Sequence, residues 1–286
     1  MRWEGIRRSG NVEDRRGMSA GRIGLAGGGI GTVVIIVLAL VFGVDPRIVM
    51  EQLPTGSSVP PSSSAPAQGA AQNDELKDFV AAVLGDTEDT WKQLFQAAGQ
   101  TYVEPKLVLF SDAVQSACGF AQAAVGPFYC PADQKVYIDL SFYRDLRQRF
   151  QAPGDFAEAY VIAHEIGHHV QNLVGISERV QASQQRGSPE RARALSVRTE
   201  LHADCLAGVW AHHADSSRQI LEQGDVEEGL NAAAQIGDDR MQMRSRGYVS
   251  PESFTHGSSE QRVRWFKRGM ESGQMKSCDT FNAAQL

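Results

Sequence analysis

Tyr160-Val161-Ile162-Ala163-His164-Glu165-Ile166-Gly167-His168-His169 is the stretch on which the reading of this chain turns. It places His-Glu-x-x-His behind an apolar run. Residues four apart on a helix share a face, so the imidazoles of His164 and His168 project together. Two neutral imidazoles at that spacing can grip one Zn²⁺. Glu165 can reach a water on such an ion without being a ligand itself. The flanks support a helix: Asp155 as N-cap, an apolar surface of Phe156, Tyr160, Ile162, Ala163, Ile166 and Val170, and Gly175 as a stop. Burying these polar groups is costly without a metal to compensate. A partly exposed helix that carries histidines by accident is the competing reading.

A catalytic zinc usually takes three protein ligands and keeps one position for water. Glu200 is the best candidate for the third ligand. Asp204 is four residues on, hence on the same helix face, where it can accept the free ring N–H of a ligand histidine and fix its tautomer. Such acid pairs are common on solvated faces; the upstream motif is what gives this one meaning. His169 points about 100° away from His168 and reads as packing or surface. His202 lies off the Glu200/Asp204 face. His212 and His213, near a helix C-terminus, read as structural. A di-iron carboxylate site would need a second Glu-x-x-His, and Glu165-x-x-His168 is the only match in the sequence.

The 286 residues carry a net charge of −6 and are 42% hydrophobic, enough for one large domain or two small ones. With no long basic run, nucleic acid is excluded as the expected partner. Residues 1–22 are polar and Arg-rich, with Arg2, Arg7, Arg8, Arg15, Arg16 and Arg22, and read as a tail too poor in apolar residues to fold alone. Residues 23–44 carry no charge and are long enough to span a bilayer. The stretch Phe42-Gly43-Val44-Asp45-Pro46 offers no Ala-x-Ala cleavage site, which favours an uncleaved anchor over a signal peptide. The arginines before the span predict a cytoplasmic N-terminus and an extracytoplasmic domain at the cell membrane. Residues 45–73 read as a Pro/Ser/Ala-rich linker, and residues 74–286 as the folded domain.

Within that domain, two helical patterns between Asp74 and Ala98 are broken near Gly85. Lys106–Phe110 and Gln134–Leu140 read as strands, Ser141–Phe150 as a helix, and Cys118–Cys130 as a loop with a cysteine at each end. Ser188 caps a long helix with Pro189 at its first position. Asp225–Met243 and Ser258–Met270 are further helical stretches. The expected class is α+β, helix-dominated with a small sheet. The Val136–Leu140 strand could pair with an extended peptide. In an oxidising compartment, Cys118 and Cys130 close one short loop, which leaves Cys205 for Cys278.

His164-Glu165-x-x-His168 followed by Glu200-x-x-x-Asp204 resembles the gluzincin pattern of zinc peptidases. Gly126-Pro-Phe-Tyr-Cys-Pro131, Tyr137-Ile-Asp-Leu-Ser-Phe142, Glu200-Leu-His-Ala-Asp-Cys205 and Phe254-Thr-His-Gly-Ser-Ser259 are more closely similar to the bacterial neutral zinc metallopeptidase family of the YpfJ type. The resemblance implies a membrane-anchored, zincin-like peptidase acting on peptide or protein substrates, with Zn²⁺ as cofactor and Glu165 as general base. His256 followed by Arg262 resembles the His-x₅-Arg arrangement of CAAX-prenyl-protease-type endopeptidases, which implies a catalytic role for both. Gly257 stands where that type usually has Pro. The alternative class is a catalytically weak or inactive zinc-stabilised extracytoplasmic domain that binds an envelope partner.

Overall fold

Alternation along two strands sets the architecture. Leu107, Leu109, Val136 and Ile138 face one side of a sheet and Val108, Phe110 and Tyr137 the other, so each face buries its own apolar cluster. The computed structural model describes residues 1–17 and 68–286. Its strands are β1 (Val12–Asp14), β2 (Lys106–Phe110), β3 (Ala113–Ser116), β4 (Gly119–Gln122), β5 (Phe128–Cys130) and β6 (Lys135–Asp139). The main sheet has the order β1-β2-β6-β5. β1, β2 and β6 run parallel, and β5 is antiparallel to β6. A β3–β4 hairpin lies with the smaller cluster, to which it contributes Val114.

The helices are α1 (Gln68–Ala97), α2 (Ser141–Gln148), α3 (Asp155–Leu173), α4 (Ile176–Arg186), α5 (Pro189–Arg218), α6 (Asp225–Gln235), α7 (Asp238–Arg246) and α8 (Ser259–Ser272). The class is therefore α+β and helix-dominated, as expected. Ser188 caps α5, and Ser258 forms a capping box with Gln261 at the start of α8. Helix α4 has no sequence signal, because none of its residues is fully buried and no apolar stripe marks it. The stretch read as one helix from Asp225 divides at Gly237, where Asp239 accepts the Ser259 N–H and hydroxyl and seats the start of α8. Asp155, expected as an N-cap, is the first residue of α3 and takes the Met1 ammonium at 2.8 Å.

The first seventeen residues differ most from expectation. Composition marks them as a tail, yet they form β1 and pack with the domain. Their partners are acids and backbone groups, which a count of apolar residues does not register. The sequence marks Gly85 as a helix break, but α1 runs straight through it. A Cβ there would stand 2.5 Å from the Arg7 carbonyl oxygen, so the glycine makes room for the incoming chain. Residues 68–73, read as the end of the linker, begin α1. The expected span at 23–44 and linker residues 45–67 lie outside the described residues. Among those described, no helix is long and apolar enough to cross a membrane. Both expected disulfides are present: Cys118–Cys130 ties the hairpin to β5, and Cys205–Cys278 ties the C-terminal segment to α5.

Candidate metal centre

Helix α3 supplies His164, Glu165 and His168, and α5 crosses it carrying Glu200 and Asp204. The crossing is close at Gly167, where a Cβ would meet the Ala203 carbonyl oxygen at 2.9 Å. That approach brings Nε2 of His164 to 3.2 Å from one Glu200 oxygen and Nε2 of His168 to 3.6 Å from the other. Zinc bonds of about 2.0–2.2 Å in a tetrahedron require ligand atoms roughly 3.3–3.5 Å apart. The donor set fits zinc in type, number and spacing. His164, His168 and Glu200, the expected ligands, lie together, with their ligand atoms within 4.8 Å of one another.

Behind His164, Asp204 accepts the Nδ1–H at 2.8 Å. The Tyr160 hydroxyl and the Arg262 guanidinium also donate to Asp204, which is fully buried. Burial alone would raise the Asp204 pKa, but Arg262 and His164 hold it at about 2. Burial opposes charge on His164; the Asp204 and Glu200 carboxylates outweigh it and lift its pKa to about 10. Glu200 is likewise held well below the usual carboxylate range by His168 and His164, against its burial. Behind His168 the support is neutral. Its Nδ1–H donates to Gln171 Oε1 at 3.0 Å, and the Gln171 amide donates to the Thr199 carbonyl at 2.7 Å.

Glu165 is 7% exposed, its pKa raised by burial, and it lines a cleft of about 780 Å³ with both histidines and Glu200. Among the described residues, none donates a hydrogen bond to its carboxylate. His256 lies on the rim of the same cleft, with Nδ1 3.2 Å from Asp238. Arg262 is almost wholly enclosed and spends its donors on Asp204, Tyr160 and the Ile236 carbonyl. It therefore positions Asp204 rather than standing free to meet a reacting group. The β6 strand, expected beside a substrate, lies between β2 and β5 with both edges paired; the strand that borders the cleft is β5, through Phe128 and Tyr129.

Other histidines are structural. His169 is buried, donates to the Val103 carbonyl and meets the Tyr129 hydroxyl. His202 accepts from Gln171. His212 and His213 donate to the Met270 and Gly273 carbonyls. Sequence reading missed Tyr160 and Gln171 in the site, although their spacing, four before His164 and three after His168, places them on the ligand face. Asp238 carried no such signal.

A buried His-Glu-x-x-His helix crossed by a carboxylate-bearing helix defines the class of zinc-peptidase-like metal sites. Within it, this chain belongs to the family described as "Putative neutral zinc metallopeptidase", whose model matches residues 1–281. It is 47% identical over 289 residues to "Uncharacterized protein YpfJ" of Escherichia coli (strain K12), covering 98% of this chain and 99% of that one. It is 42% identical over 262 residues to "Uncharacterized protein Rv2575" of Mycobacterium tuberculosis (strain ATCC 25618 / H37Rv), covering 87% and 86%. No solved structure matches.

Proposed function

We propose that this protein is a zinc-dependent endopeptidase whose catalytic domain works on the oxidising, extracytoplasmic side of the cell membrane, tethered through residues 23–44. The observation that carries the catalytic reading is Glu165: a buried carboxylate, without a hydrogen-bond donor among the described residues, in the same cleft as three converging zinc ligands. A purely structural zinc site has no use for a free base beside it. The two disulfides support the compartment.

His164, His168 and Glu200 would hold Zn²⁺, which supplies Lewis-acid polarisation of the scissile carbonyl and a lowered pKa for water when bound. Glu165 takes a proton from the attacking water and delivers it to the departing amine. His256, its Nδ1 side engaged by Asp238, presents the rest of its ring to the cleft and donates to the developing oxyanion. Arg262 and Tyr160 hold Asp204, and Asp204 holds His164. The β5 edge aligns an extended peptide by backbone pairing.

The test uses the full chain, because residues 1–17 belong to the folded unit. One zinc per chain and cleavage of a peptide library are expected. Glu165→Gln should keep the zinc and lose the cleavage. Zinc binding with no cleavage of any peptide by the parent protein would favour the inactive, partner-binding alternative.

A further inference from the structure

Residues 1–17 lie against α1 and the β2 edge as a built arm. Glu88 is fully buried on α1, and among the described residues every hydrogen bond to its carboxylate comes from this arm: Arg7 at 2.7 Å, the Ser9 hydroxyl at 2.6 Å and the Asn11 amide at 2.8 Å. A carboxylate stripped of those donors would be buried and unpaired, which folded proteins avoid. Arg7 also reaches Asp89 and the Gly85 carbonyl, and Arg8 pairs with Asp78 at 2.6 Å. Backbone bonds continue the seat: Ser9 N–H to the Ala81 carbonyl, Leu107 N–H to the Asn11 carbonyl and Arg15 N–H to the Leu109 carbonyl. Trp3 packs edge-on against Phe79 with ring centres 5.4 Å apart. The absent Cβ of Gly85 is what admits the Arg7 backbone.

A single membrane crossing between Gly17 and Gln68 would separate the arm from the domain by a bilayer, and none of these bonds could form. We propose that residues 1–17 and residues 74–286 occupy the same side of the membrane, and that Arg7 and Arg8 are docking groups for the domain rather than a signal retaining the N-terminus in the cytoplasm. The positive-inside rule reads arginines as free charges. Here the two are paired with Asp78, Glu88 and Asp89 in the folded unit. Any membrane attachment through the intervening residues must then leave both ends of that segment on one face.

The experiment uses the full chain in intact bacterial cells. All four native cysteines are bonded in pairs, so single substitutions Glu4→Cys and Glu260→Cys, both at exposed positions, report the arm and the domain separately. A membrane-impermeant maleimide is expected to treat the two alike, labelling both before permeabilisation or neither. Labelling both supports the extracytoplasmic reading above as well. Labelling neither keeps arm and domain together and overturns that compartment alone. Labelling of one with protection of the other overturns the proposal. On the purified full chain, Gly85→Val should speed trypsin cleavage after Arg7 and Arg8 at least tenfold. Should that variant not fold, Asp78→Ala, which frees Arg8 and keeps both cleavage sites, should do the same. Cleavage unaffected by any of these changes would show that the arm is not seated and overturn its docking role.

Discussion

The Asp204 carboxylate accepts the Nδ1–H of His164 at 2.8 Å, on the side of the ring away from Glu200. This bond sets the tautomer that leaves Nε2 for a metal. Asp204→Ala should weaken zinc binding about 10- to 100-fold by chelator competition. It should also leave Arg262 buried without its carboxylate, at a cost of about 3–5 kcal/mol in urea denaturation. The double change Asp204→Leu with Arg262→Met should recover part of the stability but not the zinc affinity.

Gln171 does for His168 what Asp204 does for His164, without charge. Its amide bridges the ligand histidine to the Thr199 carbonyl, next to Glu200. Gln171→Leu should raise the zinc dissociation constant about tenfold. Its effect should be smaller than that of Asp204→Ala, because a neutral acceptor holds the imidazole less strongly. Equal zinc affinity in Gln171→Leu and the parent would remove Gln171 from the site.

Glu158 is a pH-sensitive weak point on α3. Burial raises its pKa to about 7, with Arg147 opposing at 2.5 Å. Between its ordinary value near 4.5 and about 7, the folded chain binds more protons at this site than the unfolded chain. Its contribution to stability therefore falls as pH rises through that window. Glu158→Gln should flatten the pH slope and stabilise the protein by about 1–3 kcal/mol at pH 8 relative to the parent, measured by thermal and urea unfolding. No difference between pH 5 and pH 8 in the two proteins would refute this.

The Cys205–Cys278 bond closes a loop with a sequence separation of 73 next to Asp204. Replacing both cysteines with alanine should lower stability by about 2–4 kcal/mol, mainly by freeing the unfolded chain. Zinc stoichiometry in the folded fraction should stay at one, since neither sulfur is a ligand. Loss of zinc in protein that remains folded would show that the bond positions α5 for binding.

The metal-binding pattern was legible in the chain because helix periodicity is local. Four-residue spacing puts His164 beside His168 and Glu200 beside Asp204 whatever the rest of the molecule does. Strands β2 and β6, the cap at Ser188, and the cysteine pairing were readable for similar reasons of short-range pattern or simple elimination. Tertiary structure decided what local pattern cannot express. Arg262 and His256 both come from the C-terminal region, yet packing encloses one against Asp204 and leaves the other on the cleft rim. Sheet order made β5, not β6, the strand at the cleft. The N-terminal arm is the clearest case. Its residues look like a solvated tail because much of their stabilisation comes from acids seventy or more positions away. A buried carboxylate such as Glu88 becomes tolerable only when the folded chain brings its donors to it.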